Sequence, residues 1–223
     1  AVAGTVVTSN LKLTAFGQQV AGHFSGRLPW MGYAGRPDWL LVLNYDDLGG
    51  LATGLGVPWI YPAPGEFTLR ARPSGTDMKS FHLQTGLNTK ELDVKATGEV
   101  TGFDAQAAFE LAYSIVSSGV PEQSEWFGIA LSRIGSFQVE GSASRIAGDE
   151  QPVTGSARLI ADRLGSVEAK GVFGLSPQGD SKISVAIESE SMAKVAALGS
   201  FVLADVGPFR GEANIRLMPD QIL

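Results

Sequence analysis

Gly65-Glu66-Phe67-Thr68-Leu69-Arg70-Ala71 recurs in weakened form as Gly135-Ser136-Phe137-Gln138-Val139-Glu140-Gly141, and again as Gly207-Pro208-Phe209-Arg210-Gly211-Glu212-Ala213. Each copy opens on glycine, places Phe two residues on and continues as a strand-like alternation. The glycines lie 70 and then 72 residues apart. A near-constant interval of this size marks an internal repeat, and it constrains the architecture before any local motif does. It divides residues 1–223 into approximate units 1–64, 65–134 and 135–206, with a further unit beginning at 207–223, all within one repetitive β domain. The last copy has barely begun at Leu223, so the chain is expected to be a piece of a longer one.

The strands are read from their period. Phe67, Leu69 and Ala71 alternate with Thr68, Arg70 and Arg72. Phe81 and Leu83 alternate with Ser80, His82 and Gln84, and Leu92, Val94 and Ala96 with Asp93, Lys95 and Thr97. A period of two gives a strand one dry and one wet face. Similar short runs at Thr5–Val7, Leu11–Thr14, 19–25, Trp39–Tyr45, 109–113 and 183–187 are separated by turn residues: Ser9-Asn10, Pro73-Ser74-Gly75-Thr76, Gly86-Leu87-Asn88-Thr89 and Gly102-Phe103-Asp104. Strands recurring every ten to twelve residues or so predict an antiparallel all-β meander. Two short helices are expected. One follows Asp46-Asp47 over Leu48 to Gly56, and the other runs from Ser191 to Leu198; in the middle unit residues 117–123 replace it with a loop. The fold class is therefore all-β, mainly antiparallel, with one or two short helices. It forms a repetitive, curved sheet or groove of about 70-residue units, or alternatively a closed β-sandwich.

Composition narrows the function. The net charge is -6 and Lys and Arg form no block, so nucleic acid is not expected as a partner. There is no cysteine, which removes disulfides, thiolate nucleophiles and Cys-based zinc sites together. No apolar run approaches the ~20 residues of a membrane span, and no charged stretch precedes an apolar one at the start, as a signal peptide requires.

No set of residues converges on chemistry. Ser191-Met192-Ala193-Lys194 matches the S-x-x-K of penicillin-recognising enzymes, in which the lysine helps activate the serine. The companion S-D-N and K-T-G segments are absent, so Ser191 is expected to cap a helix and Lys194 to be solvated. Asp46 and Asp47, with Asp38 nearby, lack the spacing of an oxygen-ligated metal site. His23 and His82 fall on the polar phase of their strands. Trp30, Tyr33, Trp39, Trp59 and Tyr61 are expected to pack at the mouth of the β structure. No enzyme, cofactor or metal is expected. What stands out is a dry face on strand after strand, which something must cover: a second sheet, helices or an apolar ligand.

The segments Asp46–Ala71 and Met192–Phe209 both consist of a short Leu/Ala stretch, a connector, Gly-Pro-Phe or its variant, and alternating strands. With Leu92-Asp93-Val94-Lys95-Ala96-Thr97-Gly98-Glu99-Val100 between them, the chain resembles the AsmA-like family of bacterial envelope proteins, which includes TamB-type and YhdP-type members. The resemblance implies a periplasmic β groove, anchored in the inner membrane through a segment outside this chain. Such a groove passes phospholipid or another acyl lipid between inner and outer membrane, or serves outer-membrane assembly, with outer-membrane or other envelope proteins as partners. The dry-phase residues Phe67 and Leu69, Phe81 and Leu83, Leu92 and Val94, Phe109 and Leu111, Phe137 and Val139, and Val185 and Ile187 are the candidate apolar groove. The alternative is a non-catalytic β-sandwich binding module or adhesin whose ligand surface is the aromatic group of residues 30–61.

Overall fold

The computed structural model describes residues 6–15, 18–27, 38–46, 64–74, 79–102, 107–119, 125–126, 129–130, 134–148, 151–173, 181–198 and 203–217. The chain divides into two compact units, Ala1–Thr101 and Gly102–Leu223. Unit 1 holds six strands: β1 (Val6–Ala15), β2 (Gln18–Arg27), β3 (Trp39–Tyr45), β4 (Gly65–Pro73), β5 (Ser80–Thr89) and β6 (Leu92–Thr101). Each pairs antiparallel with the next. Unit 2 opens with β7 (Ala108–Ser117). A two-residue ribbon of β8 (Glu125–Trp126) and β9 (Ile129–Ala130) follows, and then β10 (Phe137–Arg145), β11 (Val153–Ala161), β12 (Gly165–Phe173) and β13 (Ser181–Ser189). The helix α1 (Met192–Leu198) leads into β14 (Phe209–Leu217). The long strands of unit 2 form a second antiparallel meander in the order β7-β10-β11-β12-β13-β14.

The expected class is present: long antiparallel strands and, among the described residues, one short helix. Within each unit the first and last strands of the meander do not pair with each other, so each sheet is open. Neither unit holds a second long-stranded sheet of its own among the described residues, so neither is by itself a closed sandwich. The helix expected over Leu48 to Gly56 lies outside the described residues.

Two expected turns are strand. The ladder of β1 runs unbroken through Ser9 and Asn10, opposite Phe24 and His23, and Asn10 Oδ1 is 3.3 Å from His23 Nδ1. Asn10 meets a polar partner across the ladder, and the strand needs no break there. Gly86 to Thr89 belongs to β5. There, a Cβ on Gly86 would stand 2.9 Å from Thr68 Oγ1, so this glycine permits close approach of a neighbouring strand and makes no turn. The turn comes at Lys90 and Glu91, where the Leu92 N–H donates to Thr89 Oγ1 at 2.9 Å.

Strand register sharpens the repeat. The pairs Tyr45↔Gly65, Ser117↔Phe137 and Ser189↔Phe209 recur at intervals of 72 residues in both members. Structurally, Gly65 therefore corresponds to Phe137 and Phe209, two residues off the Gly-x-Phe alignment read in the sequence. Leu92 and Leu164, also 72 apart, are both buried where a hairpin turns. Along the chain, one repeat spans four long strands: β4 to β7 in the first complete copy, and β10 to β13 in the second. A long connector separates each copy from the next.

Candidate functional site: the apolar sheet face

Residues opposite each other in a ladder project to the same side of the sheet. In unit 1 the register places Leu41 and Leu43 of β3, Phe67 and Leu69 of β4, Leu83 and Leu87 of β5, and Val94 of β6 on one side, with Phe81 and Leu92 at strand ends. In unit 2 one side carries Phe109, Leu111 and Ile115 of β7, Phe137 and Val139 of β10, Leu159 of β11, Val167 of β12, and Val185 and Ile187 of β13. All six candidate residues of each unit thus share one face of that unit's sheet. Ten of the twelve are half-buried; only Phe81 and Leu92 are buried.

The opposite sides are more polar, although Val116, Ile160 and Val172 stand exposed on that of unit 2. In unit 1 they carry Glu66, Arg70 and Arg72, His82 and Gln84, and Asp93, Lys95 and Glu99. Cross-strand pairs settle these charges: His82 Nδ1 lies 3.0 Å from Glu99 Oε1, and in unit 2 Arg158 pairs with Glu168 and Arg210 with Glu188. Such exposed pairs contribute little to stability, about 0 to 1 kcal/mol each. They do fix which side faces water.

Aromatic rings lie over glycines on the dry side. The Tyr45 hydroxyl would be 2.6 Å from a Cβ on Gly65, and Trp39 Cδ1 would be 2.7 Å from one on Gly26. Tyr113 lies likewise over Gly141, its hydroxyl donating to the Ser156 carbonyl at 3.1 Å. The Tyr45 hydroxyl has no hydrogen-bond partner among the described residues, and burial pushes its pKa up to about 12. The sequence does not advertise these pairs, because ring and glycine are distant in the chain and meet only through register.

Burial concentrates where connectors meet strand ends. Ile134, Ala161 and Leu164 form a buried cluster, with Phe137, Leu159, Val167 and Val195 of α1 against it. α1 is capped as expected. Ser191 Oγ accepts the Lys194 N–H at 3.3 Å and donates to Asp205 Oδ1 at 2.8 Å, and Asp205 Oδ1 also accepts the Gly207 N–H at 3.1 Å. These two donors hold the Asp205 carboxyl below its usual range. Lys194 Nζ lies 3.9 Å from Glu190, on the solvent side. The S-x-x-K serine is thus occupied in capping.

Asp38 is an ion-pair partner of two arginines. It accepts from Arg70 Nη2 at 2.7 Å and Arg72 Nε at 3.1 Å, and the Arg70 hydrogen bond is the main cause of its lowered pKa. His23 is exposed and His82 half-buried, both on the polar side as expected. Trp39 stacks on Phe81, while Trp30, Tyr33, Trp59, Tyr61 and Asp47 lie outside the described residues. Among the described residues no three His, Cys, Asp or Glu side chains converge on a metal position, and no helix is long and apolar enough to cross a membrane. Compared with protein-family models, curated proteins and solved structures, the chain matches none of them.

Proposed function

We propose that this chain is a segment of a periplasmic envelope protein, anchored in the inner membrane through a part of the protein outside these residues. Its apolar sheet faces hold phospholipid acyl chains during passive transfer between inner and outer membrane, or during outer-membrane assembly. The observation that supports this reading is the dry side of each sheet, apolar strand after strand yet left half-exposed among the described residues. An acyl chain laid across such a face gains about 0.8 kcal/mol per methylene removed from water. Two long chains are then held without a dedicated headgroup site, and the headgroup stays in water. No covalent step is needed in this reading.

Mass spectrometry of organic extracts from natively purified protein tests it. Acyl lipid is expected with the wild type and is expected to fall several-fold in Leu69→Glu and Val185→Glu, which place a charge on the dry side of each unit. Wild-type protein that releases no lipid, and takes none up from phospholipid vesicles, sinks the proposal.

A further inference from the structure

We infer that Arg145 binds the phosphate of the phospholipid whose acyl chains lie on the dry face of unit 2, and so sets which way that lipid lies. This rests on the function proposed above and adds to it the group that is recognised. Ladder phase puts Phe137, Val139, Gly141, Ala143 and Arg145 of β10 on the same side of the sheet. That is the dry side, and Arg145 is the one charged residue on it among the described strands of unit 2. The dry positions of the described strands of unit 1 carry no charge. A cation on an apolar face is costly unless something meets it, and within the chain little does. Arg145 Nη2 donates to the Gly148 carbonyl at 3.1 Å, and Nε is buried without a hydrogen-bond partner. No carboxylate among the described residues pairs with the guanidinium. Its planar fork of five N–H donors matches the oxygens of a phosphate, and the side chain is half-buried, so the fork is reachable from outside.

The two ends of this face differ. At the connector end lies the buried cluster of Ile134, Ala161 and Leu164. At the other end Arg145 stands opposite Phe109, with Val153 and Phe173 paired on the next two strands and Phe173 part-exposed. The phosphate therefore sits at the open end, with the acyl chains running toward the connector and the rest of the headgroup in water. From Arg145 to Phe137, β10 runs about 27 Å at ~3.4 Å per residue. That exceeds one leaflet's share of a bilayer's hydrocarbon, about 15 Å, so an acyl chain fits ahead of the phosphate. Burial of methylenes holds the chains but is blind to their direction; the lone charge is not. In unit 1 the 72-residue recurrence places Pro73 where Arg145 stands, opposite the buried Phe81. That end is closed and uncharged, so phosphate recognition belongs to unit 2.

Uptake from vesicles of phosphatidylcholine holding a minor share of diacylglycerol with the same acyl chains tests it, with mass spectrometry reading both lipids on the reisolated protein. Wild type is expected to carry them in a ratio about tenfold richer in phosphatidylcholine than the vesicle. Arg145→Gln is expected to bring the ratio down to that of the vesicle, and Arg145→Lys, which keeps the charge, to retain part of the enrichment. A ratio does not depend on how much of a variant is folded. An excess of inorganic phosphate is expected to leave the wild-type ratio unchanged, because the free ion has no acyl chains to bury. Enrichment that vanishes there assigns Arg145 to free anions and overturns the inference. Wild type that takes up both lipids in the vesicle's own ratio, or Arg145→Gln that keeps the enrichment, also overturns it and leaves the apolar face standing as a lipid site. Wild type that takes up neither lipid sinks the inference together with the proposed function.

Discussion

Unit 1 and unit 2 build the same kind of dry face and finish it differently. In unit 1 aromatic rings close the ends. Tyr45 lies on Gly65 next to the connector, and at the far end Trp39 stacks on Phe81, ring centroids 5.5 Å apart and planes 24° apart, with Ala71 buried close by in the ladder. In unit 2 hydroxyls stand at the positions equivalent to Tyr45: Ser117 Oγ accepts the Gly119 N–H, and Ser189 Oγ that of Ser191. The apolar load there moves to the cluster under α1. At the far end of unit 2 the equivalents of Trp39 and Phe81 are Leu111 and Val153, both half-buried, and Phe173 beside them is 37% exposed. The phase of the strands is what the repeat preserves. The ends are free to vary, because a face that is to stay half-open needs closing only at its margins.

The largest expected effect lies at the aromatic end of unit 1. Phe81→Ala removes a ring that is 2% exposed together with its stack on Trp39. It is expected to cost about 3 to 5 kcal/mol in denaturant unfolding. Val153→Ala, at the equivalent position in unit 2, is expected to cost about 1 kcal/mol, because its site is already half open. Equal losses at the two positions would erase the distinction drawn between the two ends.

Next comes the ring-over-glycine pair. Gly65→Ala sets a methyl 2.6 Å from the Tyr45 hydroxyl and 2.7 Å from the Asn88 carbonyl. Overpacking of this kind costs about 1 to 3 kcal/mol. Tyr45→Phe in the same chain removes the hydroxyl contact but leaves the ring Cζ at 2.9 Å and the Asn88 carbonyl, so it should recover only part of the loss in thermal melts. Alone, Tyr45→Phe is expected to be neutral or stabilising, since it deletes a buried hydroxyl without a partner among the described residues.

How much of this was legible in the sequence follows from distance along the chain. The alternation in β4, β5, β6, β7, β10 and β13 is local, so the phase that sets the twelve candidate residues on one side of each unit's sheet could be read directly. The repeat was legible too, but its register was not. Gly-x-Phe is a local coincidence of letters, whereas the true equivalence of Gly65 with Phe137 is set by the strand that each faces. Gly86 and Asn10 misled for the same reason: turn-forming residues signal turns only when no neighbouring strand needs a small or polar residue there. The cluster of Ile134, Ala161 and Leu164 was missed because its members come from two loops and a strand end, with no periodicity to betray them.

The smallest effects are expected at the cap of α1, where unit 2 ties its connector with polar groups and not with a ring. Ser191→Ala removes the acceptor for the Lys194 N–H and the donor to Asp205, for an expected loss of about 1 kcal/mol. Asp205→Asn probes the same knot through its charge. The folded carboxyl lies below the usual carboxylate range because Ser191 and the Gly207 N–H both donate to it, with Lys194 adding attraction. A carboxyl with a lowered folded pKa takes up its proton less readily than it does in the unfolded chain. Its contribution to stability is therefore complete above the unfolded value and is lost as pH falls through the folded one. The melting-temperature gap between wild type and Asp205→Asn is thus expected to be constant from pH 7 to about pH 5 and to close on further acidification. In the Ser191→Ala background the gap should be smaller throughout, because the first of the two donors is gone. A gap that persists unchanged at acid pH would mean that Asp205 holds the connector by its shape and not by its charge.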